Sequence, residues 1–134
     1  MINNVVLVGR LTKRLELKFT TNGTKYTQFS VAVQRKFKNK SGEYEADYIN
    51  CIMWRTAAEN FVKFTDKGSL VGIEGKIQTR RYDKDGRTVY ITEVLAEGFS
   101  LLETKETTEA RNNQPVFNSN EDEPIEFSED DLPF

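Results

Sequence analysis

The residues of this chain that could do chemistry are cations and aromatics set among one another. Arg80, Arg81 and Tyr82 run together, and Lys84 and Arg87 follow within the same stretch. Upstream, Arg35, Lys36, Lys38 and Lys40 surround Phe37. A phosphate pairs with a cation and a base stacks on an aromatic face, so either cluster could hold a nucleic-acid strand. Each also has a plainer reading, because most charge runs are solvated faces. Phe37 argues against that reading, since an exposed phenylalanine needs a use.

Other chemistries lack their residues. With no histidine and one cysteine, Cys51, a zinc site of ordinary type is excluded, and a thiol nucleophile would have no base. A nuclease would need clustered carboxylates or a histidine base. The acids of residues 1–104 are instead spread over turns and strand exteriors, so the expectation is no enzyme, no metal and no cofactor. Cys51 reads as a small buried hydrophobe. One cysteine gives no internal disulfide, which fits a reducing cytoplasm. There is no apolar run long enough for a membrane span and no leader-like start, so no membrane partner is expected.

The elements that must position these residues read as strands. In residues 69–82, Val71, Ile73, Gly75, Ile77 and Thr79 alternate with Glu74, Lys76, Gln78, Arg80 and Tyr82. Strict alternation predicts one buried and one wet face, with Lys76 and Arg80 best placed on the wet one. A turn over Asp83, Lys84, Asp85 and Gly86 then returns the chain through Arg87 and onward to Leu102, making a hairpin that projects past the sheet. Residues 2–11 form a first strand bent at Gly9. Leu15, Leu17 and Phe19, alternating with Glu16 and Lys18, extend it after a kink. Asn22 and Gly23 mark a tight hairpin. Residues 25–37 form the second strand, with Phe29, Val31 and Val33 inward. Asn39, Lys40, Ser41 and Gly42 close its basic tip. Residues 45–54 form the third, with Ile49, Cys51 and Met53 inward and Tyr48, Asn50, Ile52 and Trp54 on the opposite face. Residues 56–66 form the one helix, opened by a capping box of Thr56 and Glu59, with Phe61 and Phe64 packing into the core. Gly98 is a candidate bend in the last strand. Five strands with a helix between the third and fourth predict a mainly β protein, a five-stranded Greek-key barrel of the oligonucleotide-binding (OB) fold.

The charge divides along the chain. Residues 1–104 carry 17 Lys+Arg against 12 Asp+Glu; residues 105–134 carry 2 against 9. A basic domain followed by an acidic tail points to a polyanionic partner for the domain. Residues 105–134 are too polar to order themselves. They end in Asp130, Asp131, Leu132, Pro133 and Phe134, a compact acidic and aromatic tip that a partner protein could bind.

Three segments together carry a resemblance: NNVVLVGRL, TAAENFVKFTDKGSLVGIEGKIQTRRY and EDDLPF. The chain resembles the bacterial and bacteriophage single-stranded DNA-binding protein family nearly end to end over the domain and again at the tip. The resemblance implies a homotetramer of barrels wrapped by single-stranded DNA. It places stacking positions at Phe37, Tyr48, Trp54 and Tyr82. The residues themselves add Asn50 on the same strand as Tyr48 and Trp54, and offer Arg35, Lys36, Lys38, Lys40, Lys76, Arg80, Arg81, Lys84 and Arg87 as candidate phosphate contacts. The resemblance makes Asp130, Asp131, Leu132, Pro133 and Phe134 the docking tip for replication, recombination and repair proteins, in a cytoplasmic setting. The linker before that tip is short and acidic here instead of Gln/Gly-rich. An accessory or adaptor protein of the same fold and an RNA-binding module are the alternatives. Competition between RNA and DNA oligonucleotides separates the latter.

Overall fold

The computed structural model describes residues 1–104. The acidic tail and its tip, Asp130 to Phe134, lie outside the described residues.

Six strands and one helix follow in the order β1 (Val5–Leu11), β2 (Lys18–Phe19), β3 (Lys25–Lys38), β4 (Tyr44–Trp54), α1 (Arg55–Phe64), β5 (Leu70–Lys84) and β6 (Arg87–Leu101). Strands are hydrogen-bonded in the order β1-β5-β6-β4-β3-β2, and Arg10 and Leu11 of β1 also pair with Ala32 and Val31 of β3. That last pairing closes β1, β5, β6, β4 and β3 into a five-stranded barrel. β4 and β6 run parallel and the other pairings are antiparallel, as the sequence order around the ring requires. This is the OB barrel, with its helix between the third and fourth barrel strands; β2 is a two-residue addition.

The core is built from the inward positions of all five barrel strands and one face of α1. Val31, Met53, Phe61, Val71 and Ile73 are fully buried there. Phe61 stands between Phe29 and Phe99, with ring centroids 4.9 and 4.8 Å away. Two glycines make the tight curvature possible. A Cβ on Gly9 would lie 2.3 Å from the Ala32 carbonyl oxygen, where β1 crosses from β5 to β3. A Cβ on Gly75 would lie 1.9 Å from the Leu95 oxygen, at the register slip that puts Glu74 opposite Gly98 and Gly75 opposite Ala96. The bend expected near Gly98 belongs to this bulge.

Four expectations are corrected, and the face of Ile52 proves to be covered. Residues 12–17 do not continue β1. The chain leaves the sheet after Leu11, buries Leu15, and returns only at β2, with the Glu16 carbonyl accepting from the Thr27 hydroxyl. Ile52 is on the outer face but only 4 % exposed. β4 lies between β3 and β6, and the parallel register sets Leu95 beside Ile52 on that face. The helix has no capping box. β4 runs directly into it at Arg55, with Trp54 as an uncapped N-cap, so Thr56 already lies in the first turn; Glu59 pairs instead with Lys25 at 2.9 Å. Phe64 is 47 % exposed under the Lys63 ammonium, leaving Phe61 alone in the core. Ile77 is 50 % exposed: it lies beyond Gly75, the last β5 residue paired with β1, although Val94 opposite it on β6 is buried.

Candidate nucleic-acid interface

Pairing across the sheet sets one continuous outer face. In the β3–β4 register, Tyr26 opposes Trp54, Gln28 opposes Ile52, Ser30 opposes Asn50 and Ala32 opposes Tyr48. Opposed residues share a face, so the expected stripe of Tyr48, Asn50 and Trp54 is present and gains Tyr26 as a neighbour. The rings of Tyr26 and Trp54 lie 5.2 Å apart at 36°, and Trp54 is 36 % exposed. That contact holds the indole in place while leaving one side open.

Two basic arms flank this face. The first is the extension of β3 and β4. Its register slips between Gln34 and Lys38, so Arg35, Lys36 and Phe37 bulge from the ladder. Asn39 closes the tip, its side-chain oxygen accepting from the backbone of Ser41 and Glu43. Phe37 is almost wholly exposed and the Lys38 ammonium sits 5.7 Å over the Tyr44 ring. The second arm is the β5–β6 hairpin, longer than the sequence turn implied. β5 runs through Asp83 to Lys84, and only Asp85 and Gly86 make the turn, with φ of 51° and 75°. Positive φ at both positions is the tight hairpin turn that suits the strand twist. Arg80 and Tyr82 lie on its outer face with Lys76 and Lys84; Arg81 lies on the other, opposite Tyr90. Arg87, opposite Lys84, begins the return strand.

The structure separates cations that the sequence grouped. Arg35 is held by two carboxylates: Asp47 takes its Nε and Nη2, the latter at 2.8 Å, and Glu45 takes Nη1 at 2.9 Å. The hydrogen bond from Arg35 holds the Asp47 carboxyl below its ordinary range, and Asp47 in turn raises Arg35. Arg80 donates from Nε to Glu93 at 2.7 Å. Lys36, Lys40, Lys76, Arg81, Lys84 and Arg87 make no ion pair among the described residues.

Between the β5–β6 hairpin and the loop of residues 12–18 the outer face sinks into a cleft of about 560 Å³. Gln28, Ser30 and Asn50 line its middle, and Arg80, Ile91 and Glu93 line the hairpin side. The opposite wall is the loop of residues 12–18, with Lys13, Arg14 and Lys18. The sequence reading missed these three because Leu15 and Leu17 alternate there as in a strand. A Gly-containing break followed by a cation pair was the available signal. Cys51 also borders the cleft, but its thiol is pushed up to about 12, first by burial and then by Glu93, so it stays protonated and unreactive. Among the described residues there is no cluster of acidic, histidine or cysteine side chains that could hold a metal. No helix of these residues is long and apolar enough to cross a membrane.

Residues 2–102 match the model of the single-strand binding protein family. Single-stranded DNA-binding protein 3 of Streptococcus agalactiae is 49 % identical, with both chains covered in full. The single-stranded DNA-binding protein of Streptococcus pneumoniae is 44 % identical, again with full coverage of both. That of Lactiplantibacillus plantarum is 56 % identical over 81 % of this chain and 55 % of its own. Among solved structures, a deletion variant of the single-stranded DNA binding protein from Thermus aquaticus superposes with a TM-score of 0.65 at 29 % identity, covering 78 % of this chain and 52 % of that one.

Proposed function

This chain belongs to the single-strand binding protein family, and from that premise we propose that its outer face and two arms form the path of single-stranded DNA. The protein binds single-stranded DNA without chemistry on it. The observation that carries the path is the one face joining Tyr26, Trp54, Asn50 and Tyr48 to the cleft, flanked by arms bearing Phe37 and Tyr82. Bases stack on the open rings, each stack worth roughly 1–3 kcal/mol. Unpaired lysines and arginines neutralise phosphates and release counterions. Duplex is disfavoured because its bases are already stacked and its backbone is stiff.

In this reading the domain is residues 1–104, and residues 105–134 are an acidic tail whose tip recruits replication, recombination and repair proteins in the cytoplasm of a bacterium or a phage-infected host. The working unit is a homotetramer. In support, residues 5–9 of β1 pair with β5 on one side only, and Val6 and Val8 are exposed beside that free edge.

The test is a fluorescence titration with oligo-dT at two salt concentrations. Trp54 is the only tryptophan, so the signal reports that ring. We expect strong quenching and tight binding that weakens with salt. Binding seen by mobility shift without quenching removes Trp54 from the path. No binding by either method overturns the reading.

A further inference from the structure

The first arm joins the barrel across a gap in its ladder. Gln34 pairs with Ala46 and Lys38 with Tyr44, so Arg35, Lys36 and Phe37 of β3 span the single β4 residue Glu45. Extra residues in one strand interrupt the ladder and bend it. A side chain bridges this gap. Arg35 continues the row of Phe29, Val31 and Val33, the face turned away from Tyr48 and Trp54. Asp47, opposite Val33, and Glu45 stand on the same row of β4. All three guanidinium nitrogens are engaged there. Nε donates to both Asp47 oxygens at 3.1 and 3.2 Å, Nη2 to Asp47 Oδ1 at 2.8 Å, and Nη1 to Glu45 Oε2 at 2.9 Å. A planar fork closed on two carboxylates fixes an angle as well as pairing charges. All three side chains are well exposed, so the cluster adds little to global stability and its effect is local.

We propose that Arg35 is a positioning residue: it ties the β3 bulge to Glu45 and Asp47 and so holds Phe37 where a base can stack on it. It is not itself a phosphate contact. Its charge is already met by two carboxylates, and it lies on the face away from the stacking stripe. Phe37 needs such a support, because its ring is almost wholly exposed and its own packing fixes nothing. Lys36, between the two in sequence, makes no ion pair among the described residues and is left for a phosphate. The bulge thus divides its residues between two tasks: one cation holds the arm, and its neighbours meet the strand. This inference rests on Phe37 lying on the DNA path.

The experiment titrates oligo-dT into the full chain and its variants at several salt concentrations, beside thermal denaturation. Arg35→Lys keeps the charge and loses the fork. It should weaken binding about fivefold, the low end for loss of one base stack, with salt slope and melting temperature unchanged. Asp47→Asn removes a negative charge yet should weaken binding too, because it opens the clamp. A phosphate contact predicts the opposite: Arg35→Lys keeps its affinity, and Asp47→Asn frees a cation and tightens binding. Lys36→Ala calibrates the slope and should lower it by about 1. In a Phe37→Ala background, Arg35→Lys should cost almost nothing further, since both act through one ring. Hydrogen exchange without DNA gives an independent readout: backbone amides of residues 35–45 should exchange faster in Arg35→Lys than in the parent. Tighter binding by Asp47→Asn, parent-like affinity in Arg35→Lys, or full additivity with Phe37→Ala overturns the proposal. Should Asp47→Asn not fold, Glu45→Gln carries the same expectation. If the parent does not bind oligo-dT, or Phe37→Ala binds as tightly as the parent, it is the DNA path that fails. Unchanged exchange in Arg35→Lys overturns the clamp itself, whatever the DNA does.

Discussion

Phe37 leaves 83 % of its surface in water at the end of β3, a placement that buries nothing in the free chain. Its neighbours Lys36 and Lys38 are exposed as well, so a base laid on the ring meets a cation at either hand. Because the ring contributes little to folding and much to a stack, Phe37→Ala should separate the two. Affinity for oligo-dT should fall by roughly 1–3 kcal/mol, while the melting temperature stays within error of the parent; titration and thermal denaturation on the same preparation check both. Arg35, two residues away, shows the opposite economy. Its charge is spent on Asp47 and Glu45. The lowered Asp47 carboxyl contributes a small stability that is present at neutral pH and lost as the pH falls through that lowered value, small because both partners are well exposed.

At the scale of elements, Gly75 decides whether β5 and β6 can coil around each other. A side chain there meets the Leu95 carbonyl at 1.9 Å and the Ala96 Cα at 3.1 Å, both backbone, so no rotamer change relieves it. Gly75→Ala should therefore cost roughly 3 kcal/mol or more, beyond the usual overpacking range, or prevent folding. Gly72→Ala, whose nearest contact would be an ordinary 3.7 Å from Leu102, should cost far less. Urea midpoints of the two variants make the comparison; equal midpoints would remove the bulge from the account. The strands themselves were legible, because Phe29 and Val31, or Val71 and Ile73, alternate cleanly with polar neighbours. Alternation names a face, but it does not say whether another strand covers that face. Hence Ile77 was expected inside and is half exposed, while Ile52, on the outer face as expected, is buried there. Local motifs misled in the same way. Thr56 and Glu59 have capping-box spacing, yet β4 leaves no loop in which a cap could form. The aromatic stripe of Tyr48 and Trp54 was readable as residue types at even spacing; the wall of Lys13, Arg14 and Lys18 depends on long-range packing of residues 12–18 against β3.

At the scale of the whole molecule, the charge is divided between two parts of one chain. Residues 1–104 carry a net charge of +5 by the counts above, and residues 105–134 a net charge of −7. On the proposed path, a tail that reaches the cleft is a covalently attached polyanion competing with DNA there. An attached competitor acts at an effective concentration set by its tether, which reaches millimolar values for short flexible chains. Deleting residues 130–134 removes two of the nine tail acids, the aromatic ring and the carboxylate end. It takes no cation or ring from the outer face. Affinity for oligo-dT should thus be unchanged or rise by a few-fold, with the largest gain at low salt, where screening of the tail is weakest. Titrations of the parent and truncated chains at two ionic strengths give the comparison. A gain confined to low salt supports competition for the cleft; a large loss of affinity on truncation would mean that the tip is part of the DNA-binding surface instead of a competitor for it.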